Sequence, residues 1–100
     1  MKINKPVITL AQIQGEKAIL NWVSGDDRTA SYIIYKKIKE DTWNTKTVKF
    51  TNISDVRYED RDIVRGAEYT YTLQAVDEYG ILSEKTNETT LILPKLQEVN

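Results

Sequence analysis

The groups in this 100-residue chain that could do chemistry are carboxylates and hydroxyls. Glu59, Asp60 and Asp62 crowd one stretch, and Asp26 with Asp27 forms a second. Paired carboxylates are the tools of general acid–base hydrolysis, and clusters of them hold calcium. Neither chemistry has its full pattern here. No D-x-D-x-D-G ligand loop occurs, and alternation along an extended strand turns Glu59 away from Asp60. Ser24, Ser31, Ser54 and Ser83 are the nucleophile candidates, but the chain has no histidine and no cysteine. The commonest general base, the commonest metal ligand and the thiolate are therefore all missing. The sequence predicts no catalytic residue, no metal site and no cofactor. Asn52-Ile53-Ser54 and Asn87-Glu88-Thr89 match glycan-acceptor triplets, which arise by chance and matter only in a eukaryotic secretory route.

Binding is the other chemistry open to these residues. Tyr35, Trp43 and Tyr79 are the aromatics least easily placed in a core, and exposed rings stack on sugars or anchor proteins. The structural reading sets Trp43 over an open sheet face beside Tyr35, with Tyr79 holding its loop. The functional reading makes a protein or glycan site from Trp43 and Tyr35, or from Tyr79 with Asp26 and Asp27 in the polar loops.

The elements that position these residues follow from size and pattern. One hundred residues make one domain, large enough for a core without staples. With 14 Lys and Arg against 15 Asp and Glu the net charge is −1, which gives no overall field for phosphate backbone or anionic lipid. Nucleic-acid and membrane partners are disfavoured, and the isolated chain is expected to be monomeric. No apolar run approaches a membrane span, and the opening MKINKP has no apolar h-region.

Alternation of period two dominates the chain. Tyr69, Tyr71, Leu73 and Ala75 fall on one side of a strand, with Thr70, Thr72 and Gln74 on the other. Further strands are predicted over residues 5–13 and 17–23, where Ala18, Leu20 and Trp22 turn inward, and over residues 31–39, with Tyr32 and Ile34 as the core pair. Others follow at residues 43–50, near an edge, around residues 56–59, and from about 82 to 93, where Pro94 ends the last one. Seven short antiparallel strands separated by turns predict a two-layered β-sandwich. The domain is placed at residues 6–94, with 1–5 an N-terminal extension and 95–100 a tail or linker.

At this point the chain resembles a fibronectin type III domain, over about residues 6–93. Trp22 in A-x-L-x-W is similar to the family's buried second-strand tryptophan, and Tyr32 in YIIYK to its third-strand tyrosine, in a short form more like bacterial members. Tyr58, Asp60, Ile63, Gly66 and Tyr69 match the family's Y-x-D-x-x-L-x-x-G-x-x-Y spacing, and AVDEYG followed by Ser83 matches its A-V-D-x-x-G-x-x-S turn. Arg65 departs from the usual proline before that glycine. The resemblance implies a seven-stranded immunoglobulin-like sandwich with Trp22, Tyr32, Ile63, Gly66, Tyr69 and Leu73 as structural residues. Tyr69 would be the tyrosine corner, its hydroxyl bonding backbone a few residues upstream. Arg-Gly-Asp adhesion is not implied, because the loop before the last strand reads DEYGI. What the resemblance implies of function is a non-catalytic spacer or docking module between neighbouring domains of a larger secreted or cell-surface bacterial protein. A glycan-degrading enzyme or an adhesin is the expected setting. A ligand-binding module and a decoration domain of a phage tail or virion are the alternatives.

Overall fold

A computed structural model describes residues 2–39 and 45–96. Trp43 lies outside the described residues, so the expectations placed on it go no further.

Seven strands follow one another: β1 (Val7–Gln14), β2 (Lys17–Val23), β3 (Thr29–Lys39), β4 (Thr45–Ile53), β5 (Arg57–Asp60), β6 (Glu68–Asp77) and β7 (Thr89–Ile92). They form a three-stranded sheet ordered β1-β2-β5 and a four-stranded sheet ordered β4-β3-β6-β7, every pairing antiparallel. The two layers close face to face because each carries an apolar side that water would otherwise cover. The central strands supply most of the core. Along β6, Tyr69, Tyr71, Leu73 and Ala75 are each 2% exposed or less. Facing them from the other sheet are Ala18, Leu20 and Trp22. The indole meets the Tyr32 ring edge-on at 5.4 Å and 73°, which locks one sheet against the other.

Ile3 is buried among the core residues, so the N-terminal extension lays residues 2–5 over the sandwich as a strap. The last predicted strand is shorter than its alternation implied. Only Thr89–Ile92 forms a ladder, after an isolated bridge between Val76 and Leu82. Between them the Ser83 hydroxyl accepts the Ala75 N–H at 2.8 Å and the Thr86 hydroxyl accepts the Leu73 N–H at 3.0 Å. Hydroxyls replace carbonyls as partners of β6 there, so the ladder is interrupted while the Leu73 and Ala75 donors keep their acceptors.

Tyr69 accepts the Val64 N–H on its hydroxyl at 2.6 Å while its ring sits in the core. Gly66, between them, has φ +88°, a left-handed conformation that only glycine adopts freely. Tyr69→Phe keeps the ring and strands that N–H. The expected loss is about 1–3 kcal/mol, read as a lower denaturant midpoint with an unchanged slope. An unchanged midpoint would mean that the corner bond contributes nothing in solution.

Candidate functional site

The marked residues lie in separate parts of the fold. The first group is inside it. Asp60, 3% exposed, meets the equally buried Lys36 Nζ at 2.8 Å. Its Oδ2 accepts the Tyr71 hydroxyl proton at 2.5 Å, and its Oδ1 accepts the Asp62 N–H at 3.0 Å. Lys36 Nζ also donates to the Asp62 carbonyl at 2.6 Å and stands 4.9 Å from the Tyr69 ring centre. Burial, reinforced by the hydrogen bond to the Asp60 carboxylate, pushes the Tyr71 hydroxyl far above the usual phenol range. These groups join β3 and β6 of one sheet to the end of β5 in the other. They brace the sandwich and offer no accessible acid or base. Glu59 points to the opposite face, where the Arg57 guanidinium and then Lys17 hold its carboxyl down at about 2. Asp62 is exposed.

The second group is the pole formed by the β2–β3 loop. Asp26 Oδ1 accepts from the Arg28 N–H at 3.0 Å and from Arg28 Nε at 2.8 Å. Its Oδ2 accepts from the Asn4 N–H at 2.8 Å and from Arg28 Nη2 at 2.7 Å. The same guanidinium donates to the Lys2 carbonyl at 3.2 Å. A Cβ at Gly25 would lie 2.1 Å from the Lys5 carbonyl oxygen, so only glycine lets the strap pass. Asp26 is therefore a clasp between strap and loop, and its acceptor positions are already taken.

The Arg28 side chain, ahead of the Asn4 N–H, holds the Asp26 carboxyl well below its ordinary 3.8. A group depressed on folding stabilises the fold above its unfolded value, and that contribution is lost as pH falls through the folded one. Melting temperature should thus decline progressively below pH 4.5, first through Glu59, whose share is lost between 4.5 and about 2, and below 3.8 through Asp26 as well. In Asp26→Asn this acid limb should be shallower, with a lower plateau at neutral pH. Superimposable profiles from the two proteins would show the clasp open in solution.

Asp27 and Tyr79 come together at this pole, beside Arg28 and Glu78, around a shallow depression between the loop and the β6–β7 turn. The Tyr79 ring is 82% exposed and does not hold the turn. Asp77 does so instead, its Oδ1 accepting the Tyr79 N–H at 2.9 Å and the Ile81 N–H at 2.8 Å. That corrects the structural role expected of Tyr79.

Tyr35 stands apart from that pole, half-buried on the outward face of the four-stranded sheet. Its hydroxyl donates to Gln74 Oε1 at 2.8 Å, and Lys85 Nζ lies over its ring at 4.0 Å from the centre. Lys36, Lys49 and Lys85 are the participants that sequence reasoning passed over. Even parity with Tyr32 and Ile34 would have marked Lys36 as inward, whereas nothing local marks the other two.

Two of the serines are also engaged. Ser24 Oγ donates to the Asp26 carbonyl at 2.8 Å, and Ser83 Oγ to that of Glu84 at 2.7 Å. No cluster of carboxylates among the described residues is placed to hold a metal ion.

Neither a family model nor a curated protein matches the chain's sequence. Solved structures do match. An Fn3-like protein from Clostridium thermocellum is 25% identical, with TM-score 0.68 over 98% of this chain and 100% of that one. A β-1,2-glucanase from Parabacteroides distasonis is 21% identical with TM-score 0.71, covering 95% of this chain and 13% of its own. The twitchin kinase region from C. elegans is 17% identical with TM-score 0.72, over 100% of this chain and 18% of that one.

Two antiparallel sheets in this order, closed over an edge-on Trp22–Tyr32 pair and cornered by Tyr69, define an immunoglobulin-like β-sandwich. Within that class the chain has the fibronectin type III fold. The same fold occurs as a module of larger proteins, glycan-active enzymes and kinases among them.

Proposed function

We propose that the chain is a non-catalytic fibronectin type III module that spaces or docks neighbouring domains in a larger extracellular bacterial protein, such as a secreted glycan-degrading enzyme. One observation carries this reading. The strap at residues 2–5 is clasped to the β2–β3 loop at one pole, while Leu93 is bonded through its carbonyl to the Gly66 N–H at the other. The chain therefore enters and leaves at opposite ends of a rigid body, so a domain on either side would be held apart rather than folded back. The buried Asp60 and the clasped Asp26 are spent on holding the fold together, in keeping with a mechanical task. The glucanase match supports the glycan-active setting by likeness alone, since the chain spans 13% of that protein.

The test is a fusion of the full chain between two fluorescent reporter domains, read by single-molecule energy transfer. A narrow distance distribution, insensitive to salt, is expected. A distribution as broad as that of a Gly/Ser linker of equal length would overturn the spacer role.

A further inference from the structure

We infer that the outward face of the four-stranded sheet binds an acidic oligosaccharide, a chain of uronate sugars, around Tyr35. This goes beyond the spacing role and does not depend on it. A shallow trough of about 390 Å³ runs across the face, lined by Tyr35, Lys37, Thr47, Thr72, Lys85 and Glu88 among others. Its floor is set by register. Tyr35 stands between Lys49 on β4 and Thr72 on β6, and the next row places Lys37 between Thr47 and Thr70.

The cations converge on the ring. Lys85 Nζ is 4.0 Å and Lys49 Nζ 6.0 Å from the Tyr35 centre. Lys37 is committed to Glu88 at 3.5 Å, whereas no carboxylate among the described residues lies within salt-bridge distance of Lys85 or Lys49. These two ammonium groups sit at an aromatic face with no anion, a weak arrangement at an exposed site. A ligand carboxylate would replace it with charge-assisted hydrogen bonds. Lys85 is exposed and long enough to swing outward with that carboxylate, freeing the ring for the C–H face of a sugar. The ring itself is pinned by its bond to Gln74 and loses little freedom on binding.

Sugar fits this face better than peptide does. β3 and β6 are interior strands whose backbone groups are spent on their neighbours, so an extended peptide has no ladder to join. What remains is side-chain chemistry: an aromatic plane, ammonium groups and the hydroxyls of Thr47 and Thr72.

The full chain should be titrated calorimetrically with polygalacturonate, with a neutral galactan and with poly-glutamate, at low and at physiological salt. Polygalacturonate should bind and weaken as salt rises, and the neutral galactan should not bind measurably. Lys85→Ala and Tyr35→Ala should each weaken binding about tenfold, with Lys49→Ala a smaller step in the same direction. Melting curves identify any variant that fails to fold, and amide shift changes on the wild-type chain place the ligand without mutation. Absence of polygalacturonate binding, shift changes confined to the loops, or affinity unaltered in a folded Lys85→Ala would each overturn the proposal. So would equal binding of the neutral galactan, and poly-glutamate binding as tightly as polygalacturonate would reassign the face to acidic peptides.

Discussion

Trp22→Ala is expected to lower the unfolding free energy by about 3–5 kcal/mol, a large share of the roughly 5–15 kcal/mol typical of a domain. The indole is 2% exposed and has the Tyr32 ring edge-on at 5.4 Å. Truncation therefore removes both its apolar area and an inter-sheet aromatic contact, leaving a hole that two rigid sheets cannot close. For a domain of this size the melting temperature should fall about 4–8 °C for each kcal/mol lost. Trp22→Phe separates two components of that cost. The indole Nε1 is buried with no acceptor among the described residues, and phenylalanine removes that unpaired donor while keeping a ring against Tyr32. Its loss should be less than half that of alanine, in equilibrium denaturation with both variants at the wild-type slope. A near-neutral alanine variant would mean that the sheets do not close over this side chain.

Both layers were legible in the sequence because their signals are local. Tyr69, Tyr71, Leu73 and Ala75 alternate without a break, and Trp22 sits two positions beyond Leu20 in a strand of the same parity. Positions fail to read in sequence when their meaning depends on a partner far along the chain. Ile3 looks like part of an extension until Gly25 and Asp26 are seen to receive the strap. The last strand alternates well enough to be read as continuous, yet Ser83 and Thr86 carry hydroxyls that can take a neighbour's N–H in place of a carbonyl. A net charge of −1 hides the sheet face where Lys49 and Lys85 meet Tyr35, because they come from different strands and segments. The engagement of Asp26 and the exposure of Tyr79 are not legible either, since hydrogen-bond capacity is decided by neighbours rather than residue type. One carboxylate is filled by Arg28 and Asn4, and one ring is left outside a turn that Asp77 holds.

The Lys36–Asp60 pair should behave as a unit, and a double-mutant cycle is the measurement that exposes it. Lys36→Met leaves Asp60 with the Tyr71 hydroxyl and the Asp62 N–H but no counter-charge. Asp60→Asn leaves a buried ammonium facing the Asp62 carbonyl and the Tyr69 ring. Each is an uncompensated charge taken from water, with an expected loss of about 3–5 kcal/mol. The double variant has no charge to bury. Methionine follows the lysine stem through the same channel, and asparagine keeps one oxygen to accept the Asp62 N–H while its amide N–H can donate to the Tyr71 hydroxyl oxygen. Its loss should therefore be well below the sum of the singles, with a coupling of about 1–3 kcal/mol. Such coupling also explains why a lysine is tolerated between Ile34 and Ile38 on the inward side of β3. Attraction and hydrogen bonds offset its desolvation only while every partner is present, so this corner of the sandwich accepts one arrangement and resists partial ones. Additive losses, or a Lys36→Met variant as stable as wild type, would mean that the ammonium reaches solvent and that the two sheets are held here by apolar packing alone.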